Sequence, residues 1–166
     1  MTIMPTTHSL KQFETLLLAD LQLFDHLIVT LKAERQALKE RDYSNLEAHI
    51  SRKQSYLTSI SQNANQRSKL FASLGLIPDA TGFQQLLSFC DKAQKEHLES
   101  LWNALQSKLK ESKHCNETNH RIISRTQLVV ERFLRIYRGQ PLTQKALYAK
   151  QGQTIHDATG RLIGTA

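Results

Sequence analysis

A chain of 166 residues with 40% hydrophobic content fits one domain with a modest core, and its 3 Pro and 6 Gly leave most of it free to be helical. The 22 Lys and Arg against 15 Asp and Glu give a formal charge of +7, and the excess is confined to one part: 11 basic and 11 acidic residues up to Ser107, then 11 and 4 from Lys108 onward. Two unpatterned cysteines exclude a disulfide framework. No run approaches the ~18–20 apolar residues that span a bilayer, and no apolar leader with a small-residue cleavage site opens the chain, so it reads as cytoplasmic, without stable membrane insertion.

The first predicted helix is the clearest. Leu10, Leu17, Phe24, Leu31 and Leu38 recur every seven residues, with Leu21 and Ile28 between them, so one stripe of a long helix is apolar. Thr7 or Ser9 is the expected N-cap, and the helix is expected to run to about Arg41. Asp42 then caps a second helix, whose apolar seam reads Leu46, Ile50, Leu57, Ile60, Ala64, Phe71 and Leu74, with Gly75 ending it. Pro78 marks the one break in the body. Thr81 is expected to cap a short helix carrying Phe83, Leu86, Leu87 and Phe89 before a third long helix begins.

That third helix carries Leu98, Trp102, Leu105 and Leu109 in its first half and Ile123, Val130, Phe133 and Tyr137 in its second. Between them the seam turns polar at Ser112, Asn116 and Asn119. Two readings stay open: a buried Asn that fixes register, or a seam that opens to receive a partner. A metal site from His114, Cys115 and His120 is disfavoured, because positions i and i+6 do not share a helical face and no fourth ligand is evident. Arg121, Arg125, Arg132 and Arg135 share one narrow sector opposite Ile123, Val130 and Phe133.

The tail from Gly139 holds Leu147-Tyr148-Ala149-Lys150-Gln151-Gly152-Gln153, echoed eight residues later by Ile155-His156-Asp157-Ala158-Thr159-Gly160-Arg161. It reads as a flexible segment with two contact points. Tyr148 either docks on a partner or packs back on the body. The whole is expected to be all-α: an antiparallel bundle of three long helices plus a short connecting helix over residues 1–139, with a flexible C-terminal tail over 140–166. No catalytic, metal or cofactor residues are assigned, since the histidines are scattered without a nucleophile and orienting acid nearby.

With these residues in view, the chain resembles the FlgN family of flagellar export chaperones. Ala33-Glu34-Arg35-Gln36-Ala37-Leu38 is similar to the family's A-E-x-x-x-L, Arg52-Lys53-Gln54-Ser55-Tyr56-Leu57 to its K-x-x-L segment, and Asn116-Glu117-Thr118-Asn119-His120-Arg121-Ile122-Ile123 to its N-x-x-N with an apolar pair. Leu147-Tyr148-Ala149-Lys150-Gln151-Gly152-Gln153-Thr154 looks like the L-Y-x-x-x-G-Q-T tail motif. His120 departs from the N-x-x-N segment, standing where the family often has Gly after the second Asn. The resemblance implies a cytoplasmic chaperone that binds the terminal helices of hook–filament junction proteins (FlgK and FlgL type), prevents premature assembly and delivers them to the export gate (the FlhA-type cytoplasmic domain).

On that reading Asn116, Asn119, Ile123, Val130, Phe133 and Tyr137 would bind the client. Leu147, Tyr148 and Gly152 would dock on the gate. No nucleic acid is expected, and whether the client-free protein forms a homodimer is left open. The competing classes are a basic helical nucleic-acid-binding protein using the Arg set, and a self-associating coiled-coil protein.

Overall fold

The computed structural model describes residues 5–138. They are all-α, with four helices among them: α1 (Thr7–Glu40), α2 (Tyr43–Ser73), α3 (Ala80–Ser88) and α4 (Lys92–Tyr137). The chain divides into two units, Met1–Ser124 and Arg125–Ala166. The division falls inside α4, and the tail expected over 140–166 lies outside the described residues.

Helix ends follow from local chemistry. Thr6, and not Thr7 or Ser9, caps α1, accepting from the Ser9 amide at 3.2 Å. α1 stops where Arg41 turns left-handed (φ 59) and the Asp42 amide bonds back to the Ala37 carbonyl at 3.0 Å. The expected Asp42 cap is present: one carboxylate oxygen accepts from the Asn45 amide at 3.2 Å and the other from its side chain at 2.5 Å. α2 ends in a paired reverse-bond motif, with Leu76 donating to Phe71 and Gly75 to Ala72, and Gly75 at φ 70 supplies the left-handed residue. Asp79, and not Thr81, caps α3 through the Gly82 amide, so the helix starts two residues ahead of the expected start. A side chain at Gly82 would run into the Ile77 carbonyl, so that turn admits only glycine. Asp91 accepts from the Gln94 amide at the start of α4.

The Asp42 carboxyl sits below its ordinary value, first because of the Asn45 side chain and then its backbone amide. Its capping contribution is therefore complete above the ordinary carboxylate range and fades as pH falls through the lowered folded value. Asp42→Asn should flatten this part of the stability profile below about pH 4. Urea denaturation across that range would read the difference in slope, and equal slopes would show that the cap does not titrate.

Within the first unit α1 lies between its neighbours. Pairs with α2 run in opposite directions, Phe13 meeting Phe71, Asp20 meeting Asn63 and Arg67, and Glu34 meeting Lys53. Pairs with α4 rise together: Glu14 with His97, Asp25 with Lys108, Lys32 with Glu111, and Arg35 with Asn119. Consecutive long helices are thus antiparallel, and α1 and α4 parallel. At the surface, Glu111 holds the Lys32 ammonium above its usual value.

One end of this unit is closed by aromatics. Phe13 packs on Phe71 and Phe83, and Trp102 stacks on Phe83 with centroids 4.6 Å apart. Leu86, Leu87, Leu74, Leu76 and Leu98 fill the space around them. Such a cluster closes the core at the end where α3 lies, and it anchors the start of α4.

Two expectations change. α1 buries not only Leu17, Phe24, Ile28 and Leu31 but also Phe13, Leu16 and Leu27, because it is covered on two sides. The expected seam of α2 holds toward its C-terminal end, where Phe71 and Leu74 are buried and Ile60 packs on the core, but is rotated away from α1 nearer its start: Ile50 and Leu57 are exposed, while Lys53, Tyr56, Asn63 and Arg67 face α1. The reason is electrostatic. Asp20 and Glu34 are buried on α1, and carboxylates removed from water require donors and cations from the neighbour.

Candidate functional site

The polar middle of α4 belongs to the interior of the first unit. α4 continues unbroken through Ser112 to Asn119, and Ser112, Cys115 and Asn119 are its buried row there. Asn119 is 1% exposed and every polar position of its side chain is used. Its amide nitrogen donates to the Leu31 carbonyl and to Glu34 Oε2, each at 2.8 Å, while its oxygen accepts from Arg35 Nε at 3.1 Å. Glu34 Oε1 accepts from Lys53 Nζ at 2.6 Å, so one carboxylate ties α1, α2 and α4 together.

Of the two readings of that polar seam, Asn119 takes the first, holding register inside the bundle. Asn116 is exposed. A second buried carboxylate, Asp20, accepts from Asn63 Nδ2 at 2.8 Å and pairs with Arg67, whose guanidinium burial pulls below its ordinary value.

Sequence reasoning passed over Asp20 and Glu34, although a signal was present. Phe13, Asp20, Leu27 and Glu34 recur every seven residues on α1. Acids alternating with large apolar residues on one heptad row mark carboxylates that must find partners inside.

The described part of the second unit, Arg125–Arg138, is different in character. Leu128, Val129, Val130, Phe133, Leu134, Ile136 and Tyr137 are all exposed, Phe133 at 67% and Tyr137 at 91%. Counting ~100° per residue, all but Leu128 fall within an arc of roughly 160°. Arg125, Arg132 and Arg135 lie on the opposite side with Leu128, and Arg135 donates to Glu131 at 2.6 Å. Three of the six expected client residues, Val130, Phe133 and Tyr137, lie on this arc. Ile123 is half-buried in the first unit.

The expected gate-docking residues Leu147, Tyr148 and Gly152 lie outside the described residues. Among the described residues no group of three His, Cys, Asp or Glu is placed to hold a metal, and no helix is long and apolar enough to cross a membrane. Cys115 is buried, and burial pushes the Cys90 thiol up, away from thiolate chemistry. A cleft lined by Leu10, Glu14, His97 and Leu98 holds about 100 Å³, below the ~300 Å³ at which ligand pockets begin. Among the described residues the longest run of exposed large apolar side chains is that of Leu128 to Tyr137 on α4.

No curated protein and no solved structure matches the chain. The family described as FlgN protein matches residues 1–155, the described helices and part of the tail beyond them. That match covers nearly all of the chain, and the chain belongs to the FlgN family of flagellar export chaperones.

Proposed function

We propose that this chaperone acts in the cytoplasm on hook–filament junction proteins of the FlgK and FlgL type, covering a client's terminal helix with the apolar arc of α4 from Val129 to Tyr137. The observation that carries the reading is the exposure of six apolar residues on one face of the last turns of α4. An amphipathic helix meant to assemble after export would otherwise associate early, and a groove-and-helix interaction covers it without nucleotide. Each Val, Leu, Ile or Phe contributes about 1.5–3 kcal/mol when fully covered; these are roughly half exposed, so a part of that remains to be gained on binding. Asn116, exposed on α4, would add to the client contact, whereas Asn119 acts by holding the helix in register.

The tail, residues 140–166, would carry Leu147, Tyr148 and Gly152 to the FlhA-type export gate while the client stays bound. A tether gives its second contact an effective concentration of about a millimolar when its length suits the span. The test has two arms, both with the full chain and isothermal titration. A peptide bearing a junction protein's terminal helix should bind, and Tyr148→Ala should leave that affinity unchanged while lowering affinity for the gate's cytoplasmic domain at least tenfold. No binding of the peptide would reject the client assignment; unchanged gate affinity would reduce the tail to a tether.

A further inference from the structure

The stretch of α4 from Arg125 to Arg138 joins two patterns that client binding uses only in part. Its apolar arc is broad, roughly 160° from Ile136 at one edge to Leu134 at the other, and the aromatics Phe133 and Tyr137 are its most exposed members. One partner helix meets a stripe of about 100°, so a single helix leaves part of this arc in water. The flat boundary of a bilayer covers the whole of such a face.

The arginines stand where that boundary would require them. Arg125 and Arg132 fall within about 40° of the Ile136 edge, and Arg138 within about 40° of the Leu134 edge. All three are exposed, so each aliphatic stem can lie along the rim of the arc with its guanidinium turned toward water. Glu131 is the one acid of the stretch, and Arg135 holds it at 2.6 Å. An apolar face rimmed by cations, with its only acid neutralised, is complementary to a surface that is oily beneath and negatively charged above.

We infer that Arg125–Arg138 is an interfacial helix that lies on an anionic lipid surface when the chaperone carries no client. The arc sinks among the acyl chains and Arg125, Arg132 and Arg138 meet the lipid phosphates, while Tyr137 suits the headgroup level with its ring in oil and its hydroxyl wet. At ~1.5 Å per residue the stretch is roughly 20 Å long, enough to lie along a membrane and too short to cross ~30 Å of hydrocarbon. Lipid and client would cover the same residues; their mutual exclusion rests on the client reading, whereas the lipid contact does not.

The test is sedimentation of the full chain with vesicles of phosphatidylcholine, alone or with about 30% phosphatidylglycerol. Binding to the anionic vesicles should be at least about tenfold tighter than to the neutral ones and should fall at least about tenfold between about 50 and 300 mM salt. Arg125→Gln with Arg132→Gln should weaken it at least about tenfold and leave affinity for a junction protein's terminal-helix peptide unchanged. Val130→Asp with Phe133→Asp should abolish it. Depth is read from Tyr137→Trp, whose emission should move to the blue with anionic vesicles, while that of Trp102 in the unsubstituted chain, stacked on Phe83, stays where it is.

Equal binding to neutral and anionic vesicles, an unmoved emission in the Tyr137→Trp chain, or vesicle binding retained by the Val130/Phe133 variant would each overturn the proposal. A DNA duplex bound equally by that variant and by the unsubstituted chain, with vesicles left unbound, would overturn it by making the arginines a nucleic-acid contact. Failure of the client reading looks different: the peptide goes unbound while the chain still sediments with anionic vesicles.

Discussion

Alanine at Glu34 is expected to lower the free energy of unfolding by about 3 kcal/mol or more, the scale for breaking a buried ionic network from one side. The side chain is 1% exposed and bridges Lys53 and Asn119. Lys53 keeps some contact with water and can turn outward, which limits the loss; Asn119 cannot, and would keep a buried amide hydrogen unmet beside a new cavity. Glutamine should not rescue. Both neighbours donate hydrogen, so an amide presents its own N–H₂ to one of them whichever way it turns. The control is Glu14→Ala, which removes the half-exposed pair with His97 and should cost under about 1 kcal/mol. Urea denaturation measures all three, and a loss at Glu34 no larger than at Glu14 would show that the buried network contributes little.

Aspartate at both Val130 and Phe133 should weaken capture of a client's terminal helix by at least about 100-fold, because two apolar contacts become two desolvated charges at the centre of the proposed interface. Helix content should not change, since both side chains are already exposed. The wild-type affinity should move only a few-fold between 50 and 300 mM salt. A phosphate-binding mode through Arg125 and Arg132 would instead lose orders of magnitude over that range, with counterions released at each contact. Retention of client affinity by the double variant would place the client elsewhere, and a steep salt slope would favour the basic side of α4.

The number, order and approximate ends of the helices were legible because each depends on chemistry within a few residues: Asp42 as a cap, Gly75 as a left-handed stop, the heptad of leucines on α1. The face that the first half of α2 turns to α1 was not. Ile50 and Leu57 satisfy the apolar pattern better than Lys53 and Arg67 do, and only the carboxylates buried on the neighbouring helix reverse the preference. That is a long-range constraint, invisible while α2 is read alone. The start of α3 was missed for a smaller reason, since Asp79 and Thr81 are both capping residues and the close approach of Gly82 to Ile77 decides between them. At the candidate site the apolar row Val130, Phe133 and Tyr137 could be read from spacing, but spacing does not distinguish Asn119, consumed inside, from Asn116, left outside.

The pairing of Asp20 with Arg67 and of Glu34 with Lys53 has a further consequence for a chaperone proposed to cover amphipathic helices. A stranger's helix laid along α1 in the position of α2 could match its leucines, yet it would bring no cations to those two sites. Each stranded carboxylate would cost several kcal/mol, enough to exclude an intruder that oily contact alone would admit. On the proposed reading the chaperone is thereby protected from its own clients, the middle of its α1–α2 joint being coded in charge while the proposed client face is coded in grease.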